Sequence, residues 1–340
     1  MRIMFVGDIN LGEYYTSFGH GPGTYLNHSD VFSGVRELFS QADLVIGNLE
    51  APLTTHNFNS RDPESAVLRG HPRHAKLLWE VGFRVLQVAN NHTVQHGAEG
   101  FRETVSSLAD AGIQAVGLNQ QEPISLDIGG QRIGLMAASD VPDNTDKCQD
   151  SYQRLDAAFI EKVKASINTV DHLFVMLHWG LESSTTTLEY QRKLIRELGD
   201  AGARGIIGSH PHLFYEVWQE GSTISAPSLG NFVFDLCWDQ RLLKSGILDV
   251  QIVDGQIQAR VHPVTIEHNG CVPTLSGNPV VIDSAVNLYN LGNDMSGEQG
   301  KKLKYFFRNI FKGDMRLKLK FFLRKIIPTF KPGRFENNHG

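Results

Sequence analysis

The strongest constraint on the fold is a rhythm: apolar runs of about five residues, rich in Val and Ile, recur between amphipathic stretches of about 10–15 residues. Such runs suit strands buried on both faces, and the stretches between them suit helices laid over a sheet, so the pattern is one of βα units. Ile3–Gly7, Leu44–Gly47, Val85–Ala89, Gln114–Val116, Ile133–Ala137, Leu173–Leu177 and Gly205–Gly208 read as strands. Val31–Gln41, Arg73–Val81, Gly97–Ala111, Leu155–Asn168 and Leu188–Ala201 read as helices, the last closing on Ala-Gly as a C-cap does. After His212 the rhythm changes. Tyr215–Gln219, Thr223–Ser225, Asn231–Phe234, Gly246–Val253 and Gln256–His262 read as consecutive strands, two of them joined by the Asp254-Gly255 hairpin signal. The expectation is an α/β domain closed by a β-meander over 1–263. A loop-rich linker with room for one short helix follows over 264–300, then a basic amphipathic tail over 301–340.

Composition narrows the class. The chain is 41% hydrophobic and 20% charged, with no apolar run near the roughly 20 residues of a membrane-spanning helix. Met1–Asp8 reads as a strand entering a turn rather than as an export signal. Cys148, Cys237 and Cys271 lack metal-type or CxxC spacing and read as incidental thiols, so a cytoplasmic location is expected. Charge is uneven: 12 Lys/Arg against the single acid Asp314 fall between Lys301 and Arg334, leaving the first 300 residues at −15 of an overall −5.

Five polar clusters each follow an apolar strand: Gly7-Asp8-Ile9-Asn10, Gly47-Asn48-Leu49-Glu50, Asn90-Asn91-His92, His178-Trp179-Gly180 and Gly208-Ser209-His210-Pro211-His212. In open α/β sheets ligands bind beyond the carboxyl ends of strands, so these tips can converge on one crevice. Taken singly, each has a plain structural explanation. Asp8 could cap a helix, Asn90 could hold a turn, and His178 could be a core histidine bonded to a carbonyl. Together they form an inventory of acids, amide oxygens and imidazoles without a thiol, suited to divalent Mn, Fe or Zn.

The series Gly-Asp, Gly-Asn-x-Glu, Asn-Asn-His, His-Trp-Gly, Gly-Ser-His-Pro-His resembles that of the metallophosphoesterases. It resembles more closely their CapA branch, the capsule or poly-γ-glutamate synthesis proteins, in which Ser228-Leu229-Gly230-Asn231-Phe232 also has a counterpart. The resemblance covers about residues 1–235. It implies a four-layer αββα sandwich in one domain, with one ion held by Asp8 and His212 and a second by Asn91, His178 and His210. Glu50 or Asn48 would lie between them, and His92 would face the substrate as proton donor to the leaving group. Two departures stand out. Asn10 occupies the place of a usual histidine ligand, and Asn48 that of a bridging aspartate, so the longer Glu50 is expected to reach into the bridging place, and one or two ions remain open. Trp179 and Glu182 are expected to border the substrate, and Asn231 to border the same crevice and orient a metal ligand or a substrate oxygen; a turn at Trp179-Gly180 and a solvated Glu182 are the plainer alternatives.

The substrate implied is an anionic polymer or a phosphorylated small molecule. Three functions stay in view: a metal-dependent hydrolase of phosphoester or related bonds, a metal-binding assembly factor without catalysis for a polymer synthase, and an amide hydrolase of γ-glutamyl bonds. The tail, with aromatics among its cations, fits a membrane-surface or synthase contact through 301–334 as well as it fits a helix packed on the domain. Nucleic acid is not expected, because the acidic body would repel phosphates.

Overall fold

The computed structural model describes residues 1–143, 151–283, 285–289, 291 and 298–326. Cys148 and the end of the basic tail lie outside them, while Cys237 and Cys271 are buried free thiols. Two sheets stack face to face. The first runs Val272–Leu275, Gln256–Glu267, Lys244–Val253, Arg2–Ile9, Leu44–Leu49, Phe83–Gln87, Gln114–Val116, with Asn231–Val233 added to the end of Arg2–Ile9 and Val280–Val281 to Gln256–Glu267. The second runs Ile124–Ile128, Gln131–Ser139, His172–His178, Gly205–Ser209, Thr223–Ala226, Trp218–Glu220.

Strand alternation builds the layers. Ile3, Phe5, Ile46 and Val85 face Leu135, Ala137, Phe174 and Met176 between the sheets. Their neighbours Met4, Val6, Val45 and Leu86 turn the other way, onto Leu78 and Val81 of helix His74–Val81 and Phe101 and Leu108 of Gly97–Asp110. On the second sheet Met136, Val175 and Leu177 meet Phe159 and Val163 of Ala157–Ser166 and Leu194 and Leu198 of Glu189–Ala201. The result is the four-layer αββα sandwich expected. Asp156 starts its helix by accepting from Phe159 N–H at 2.8 Å, a regular N-cap.

Several expected elements are built differently. Only Arg36–Phe39 of the helix expected over 31–41 is α-helical, because Asp30 accepts from Phe32 N–H and draws residues 31–35 into turns. Val31, Val35, Leu38 and Phe39 are still buried, so a 3.6-residue burial pattern arises without a continuous helix. The strands after His212 do not form one meander. Trp218–Glu220 and Thr223–Ala226 join the second sheet, the latter parallel to Gly205–Ser209, while the antiparallel run from Lys244 to Leu275 extends the first. That run places Val272–Leu275 and Val280–Val281 where loop is expected, and strand Ile124–Ile128 has no counterpart among the expected elements.

The segment 227–231 is stitched to both sheets. Asp8 N–H donates to Gly230 O, Leu229 N–H to Gly208 O and Gly246 N–H to Leu229 O, at 3.1, 3.3 and 3.2 Å. Contact this close needs bare backbone: a Cβ at Gly7 would lie 1.8 Å from Gly230 O, and one at Gly208 1.8 Å from Pro227 O. Gly208→Ala should therefore push Pro227 off the strand tip and cost about 1–3 kcal/mol or more in chemical denaturation. Unchanged stability would show that this packing is loose.

The tail forms two helices, Glu298–Arg308 and Met315–Ile326, broken around Gly313 as its sequence implies. Both pack on the body. Phe306, Leu317 and Phe321 are buried, Phe321 stacks on Tyr15 with centroids 4.1 Å apart, and Asp314 N–H donates to Phe18 O at 2.7 Å. Among the described residues no helix is long and apolar enough to cross a membrane.

Candidate metal centre

All five strand-tip clusters converge. Asp8 and Asn48 are adjacent in register on parallel strands, and His178 pairs with Ser209 across the second sheet, so the two sheets deliver their polar tips to one end of the sandwich. Asp8, Glu50 and His178 are buried and offer ligand atoms that all lie within 4.8 Å of one another.

The finer geometry separates donors from supports. His178 Nε2 lies 2.9 Å from Asn91 Oδ1, near the separation of about 3 Å expected of two donors roughly 2.1 Å from one ion at a right angle. Its Nδ1 can donate to Ser209 Oγ at 3.0 Å, the tautomer that keeps a lone pair on Nε2, and Asn48 Nδ2 lies 3.3 Å away. Asn48 also donates to Asp8 Oδ1 at 2.8 Å and accepts from Asn90 Nδ2 at 3.4 Å, so its amide ties ligands together. His212 Nδ1 meets Asn231 Oδ1 at 2.9 Å and Asp8 Oδ2 at 3.2 Å, leaving Nε2 turned toward Glu50 Oε1 at 3.7 Å. Because Asn231 Nδ2 donates to Leu242 O, its oxygen accepts from Nδ1–H and leaves a lone pair on Nε2, the usual support for a metal-bound imidazole.

Glu50 is the telling residue. Its side chain is fully buried, yet neither carboxylate oxygen has a hydrogen-bond partner, and His210 Nδ1 is likewise buried without one. Burying a carboxylate without donors is costly, and a divalent cation is the partner such a group fits. His210 and His212 also hold positive φ values of 98° and 60°, a strained backbone for residues with a Cβ.

The electrostatics agree. Burial raises the Glu50 carboxyl well above its usual range; Asp8 adds to this and His212 opposes it. Burial lowers His178 far below the usual imidazole value, helped by His210 and His212, and takes His210 down to about 4. Burial would lower His212 too, but the charges of Glu50 and Asp8 push it up to about 10. His178 and His210, held neutral, beside crowded carboxylates suit a cation, which would take the place of the His212 proton.

Above the cluster lies a pocket of about 120 Å³ lined by His92, His212, Glu182, Tyr14, Trp238 and Lys302 among others. His92 Nε2 stands 3.8 Å from Glu50 Oε1, and its Nδ1 is 3.2 Å from Gln95 Oε1. Burial lowers the His92 imidazole and the His212 charge adds to this, while Gln95, Glu182 and Asp143 oppose it only in part. For Glu182, burial raises the carboxyl but the histidines and Lys302 outweigh it and lower it.

Two residues lie elsewhere than expected from sequence. Asn10 accepts from Gly12 N–H at 2.8 Å and donates to Asp235 Oδ1 at 3.0 Å, so its amide stiffens the following loop. Trp179 is wholly buried in the helix layer of the second sheet, donating to Pro227 O at 3.0 Å. Of the two roles open to Asn231, the structure places it against His212 Nδ1, and it does not line the pocket. Sequence reading also passed over three contributors. Ser209 was visible inside its own motif. Asp235, pushed up to about 7 by burial, and Lys302 carried no local signal.

Fold and site together define a two-sheet α/β protein with a buried carboxylate and imidazole cluster of metal-binding type. The chain belongs to the bacterial capsule synthesis protein PGA_cap family, whose model matches residues 2–236. It is 31% identical over 245 residues to the PGA biosynthesis protein CapA of Bacillus subtilis (strain 168), covering 69% of this chain and 63% of that protein. It is 28% identical over 299 residues to the capsule biosynthesis protein CapA of Bacillus anthracis, covering 81% and 70%. The chain thus spans less than two thirds of the Bacillus subtilis relative. Among solved structures it is similar to a phosphatase of Mycoplasma pneumoniae, at 14% identity and a TM-score of 0.44, covering 84% of this chain and 94% of that one.

Proposed function

We propose that the chain is a metal-dependent hydrolase acting on a phosphoester or related bond during capsular polysaccharide or poly-γ-glutamate synthesis. The observation that carries this is Glu50: a buried carboxylate with neither oxygen hydrogen-bonded, its Oε1 3.8 Å from His92 Nε2 and 3.7 Å from His212 Nε2, beside Asp8 and His178. Asp8, Glu50, Asn91, His178, His210 and His212 would hold one or two divalent ions, Mn, Fe or Zn by donor type. Such ions supply Lewis-acid polarisation of a phosphoryl oxygen and a water acidified to near neutrality.

The protein's own groups do the rest. Asn48, Ser209 and Asn231 fix the ligating side chains, so little reorganisation accompanies the reaction. His92 reaches the pocket from the side of Glu50 and gives a proton to the leaving oxygen; Gln95 orients its ring. Glu182 faces the same space and selects against substrates that place negative charge on its side.

A second reading, an assembly factor without turnover, is favoured by the neutral Asn48 and by the outer face of the tail. There Leu303, Phe307, Phe311 and Leu323 stay exposed among cations, Phe311 at 84%, a surface fit for an anionic membrane or a synthase. The separating experiment is a panel of phosphomonoesters, phosphodiesters and γ-glutamyl amides assayed with Mn-loaded protein. Turnover that needs both the metal and His92 supports the hydrolase, and its site of cleavage distinguishes ester from amide chemistry. Stoichiometric metal without turnover on any class would leave the assembly reading standing.

A further inference from the structure

The pocket over the metal centre is closed by a residue from outside the part of the chain that matches the family. Helix Glu298–Arg308 begins 62 residues beyond the end of that match, yet it brings Glu298 and Lys302 to the pocket wall, where the charges of Glu182 and Glu298 act on the lysine. Lys302 is held there deliberately. Its Nζ stands 4.9 Å from the Tyr14 ring, 5.2 Å from Tyr15 and 4.6 Å from Trp238, an aromatic cage, and it donates to Tyr14 Oη at 2.9 Å. Among the described residues no carboxylate pairs with it within 4 Å, whereas its neighbour Lys301 makes an ordinary ion pair with Asp239 at 2.7 Å. Cation–π contact offsets part of the cost of burying an ammonium but consumes none of its three N–H donors, of which Tyr14 takes one. Trp238 is in turn fixed by donating to Glu298 Oε1 at 3.2 Å, so the cage is tied to the helix that supplies the lysine.

We propose that Lys302 is the anion-selecting residue of this pocket: it binds an acidic group of the substrate, a carboxylate or phosphate, beside the bond presented to the metal centre. This rests on the hydrolase reading above. The room of about 120 Å³ suits one small acidic group next to His92 and His212, and Glu182 in the same lining keeps that group on the side of the lysine. The lysine is supplied by helix Glu298–Arg308, apart from the metal-binding set carried by residues 2–236.

The test uses the full chain loaded with Mn and inorganic phosphate as probe, with binding followed by calorimetry and metal content measured in the same samples. Lys302→Met, which keeps the packed stem, is expected to weaken phosphate about tenfold at unchanged metal content, while Lys301→Met stays close to the parent. Phosphate bound as tightly by Lys302→Met as by the parent overturns the proposal. Should Lys302→Met fold poorly, protection of Lys302 from amine acetylation by phosphate in the unaltered chain is an independent readout, and absence of protection overturns it equally. A parent chain that takes up no metal overturns the reading beneath; a metal-loaded parent that ignores phosphate overturns this proposal alone.

Discussion

His92→Ala should lower metal-supported turnover by about 100- to 10,000-fold while leaving metal content and fold intact, the range lost when a positioned general acid is removed. The residue is separable from the ligands by geometry. Its Nε2 is 3.8 Å from Glu50, and it lines the pocket wall rather than joining the Asp8, Glu50 and His178 group. Loss should therefore appear in kcat, and it should be smallest for substrates whose leaving group departs without a proton, such as a nitrophenolate. An equal loss for all leaving groups, or a variant that has shed its metal, would assign His92 to support of the site instead of proton transfer.

The second large effect concerns stability. Adding Mn at about a hundred times its Kd should stabilise the chain by about 2.7 kcal/mol, read as a rise of several degrees in Tm, and EDTA should reverse it. Glu50→Gln should abolish most of that rise, because an amide is a poor partner for two cations. In the metal-free state the same variant trades the desolvation cost of the buried carboxylate against its attraction for His212, so it should melt close to the parent. Scanning calorimetry with and without metal separates these two arms. A parent indifferent to Mn, or a variant that responds as strongly as the parent, contradicts the assignment of Glu50.

How much of this was legible in sequence depends on the range of the interaction. The central strands were, because burial on both faces leaves runs such as Met4-Phe5-Val6 and Phe174-Val175-Met176 apolar at every position. Convergence of Asp8, Glu50, His178 and His212 was also legible, since each follows such a run and the carboxyl ends of parallel strands share one edge. Trp179 misleads for an equally simple reason. Consecutive residues at a strand end point to opposite faces, so the residue after an inward His178 turns into the helix layer. Residues 31–35 carry a helical burial pattern on a backbone of turns, which periodicity cannot separate from a helix. Pairing of Thr223–Ala226 with Gly205–Ser209, and delivery of Lys302 to the pocket from near the far end of the chain, depend on tertiary packing and leave no local trace. In sequence Lys302 is one cation among twelve; its cage of Tyr14, Tyr15 and Trp238 exists only in the fold.

The central claim is that one buried cluster is a divalent-metal centre. Crystals grown with zinc and recorded at the zinc edge test it most directly. The account predicts anomalous density about 2.0–2.2 Å from the Asp8 or Glu50 carboxylates and from imidazole nitrogens of His178, His210 or His212. One peak or two would set the number of ions. Zinc found only at surface histidines, with the Glu50 carboxylate left without a cation, would contradict it.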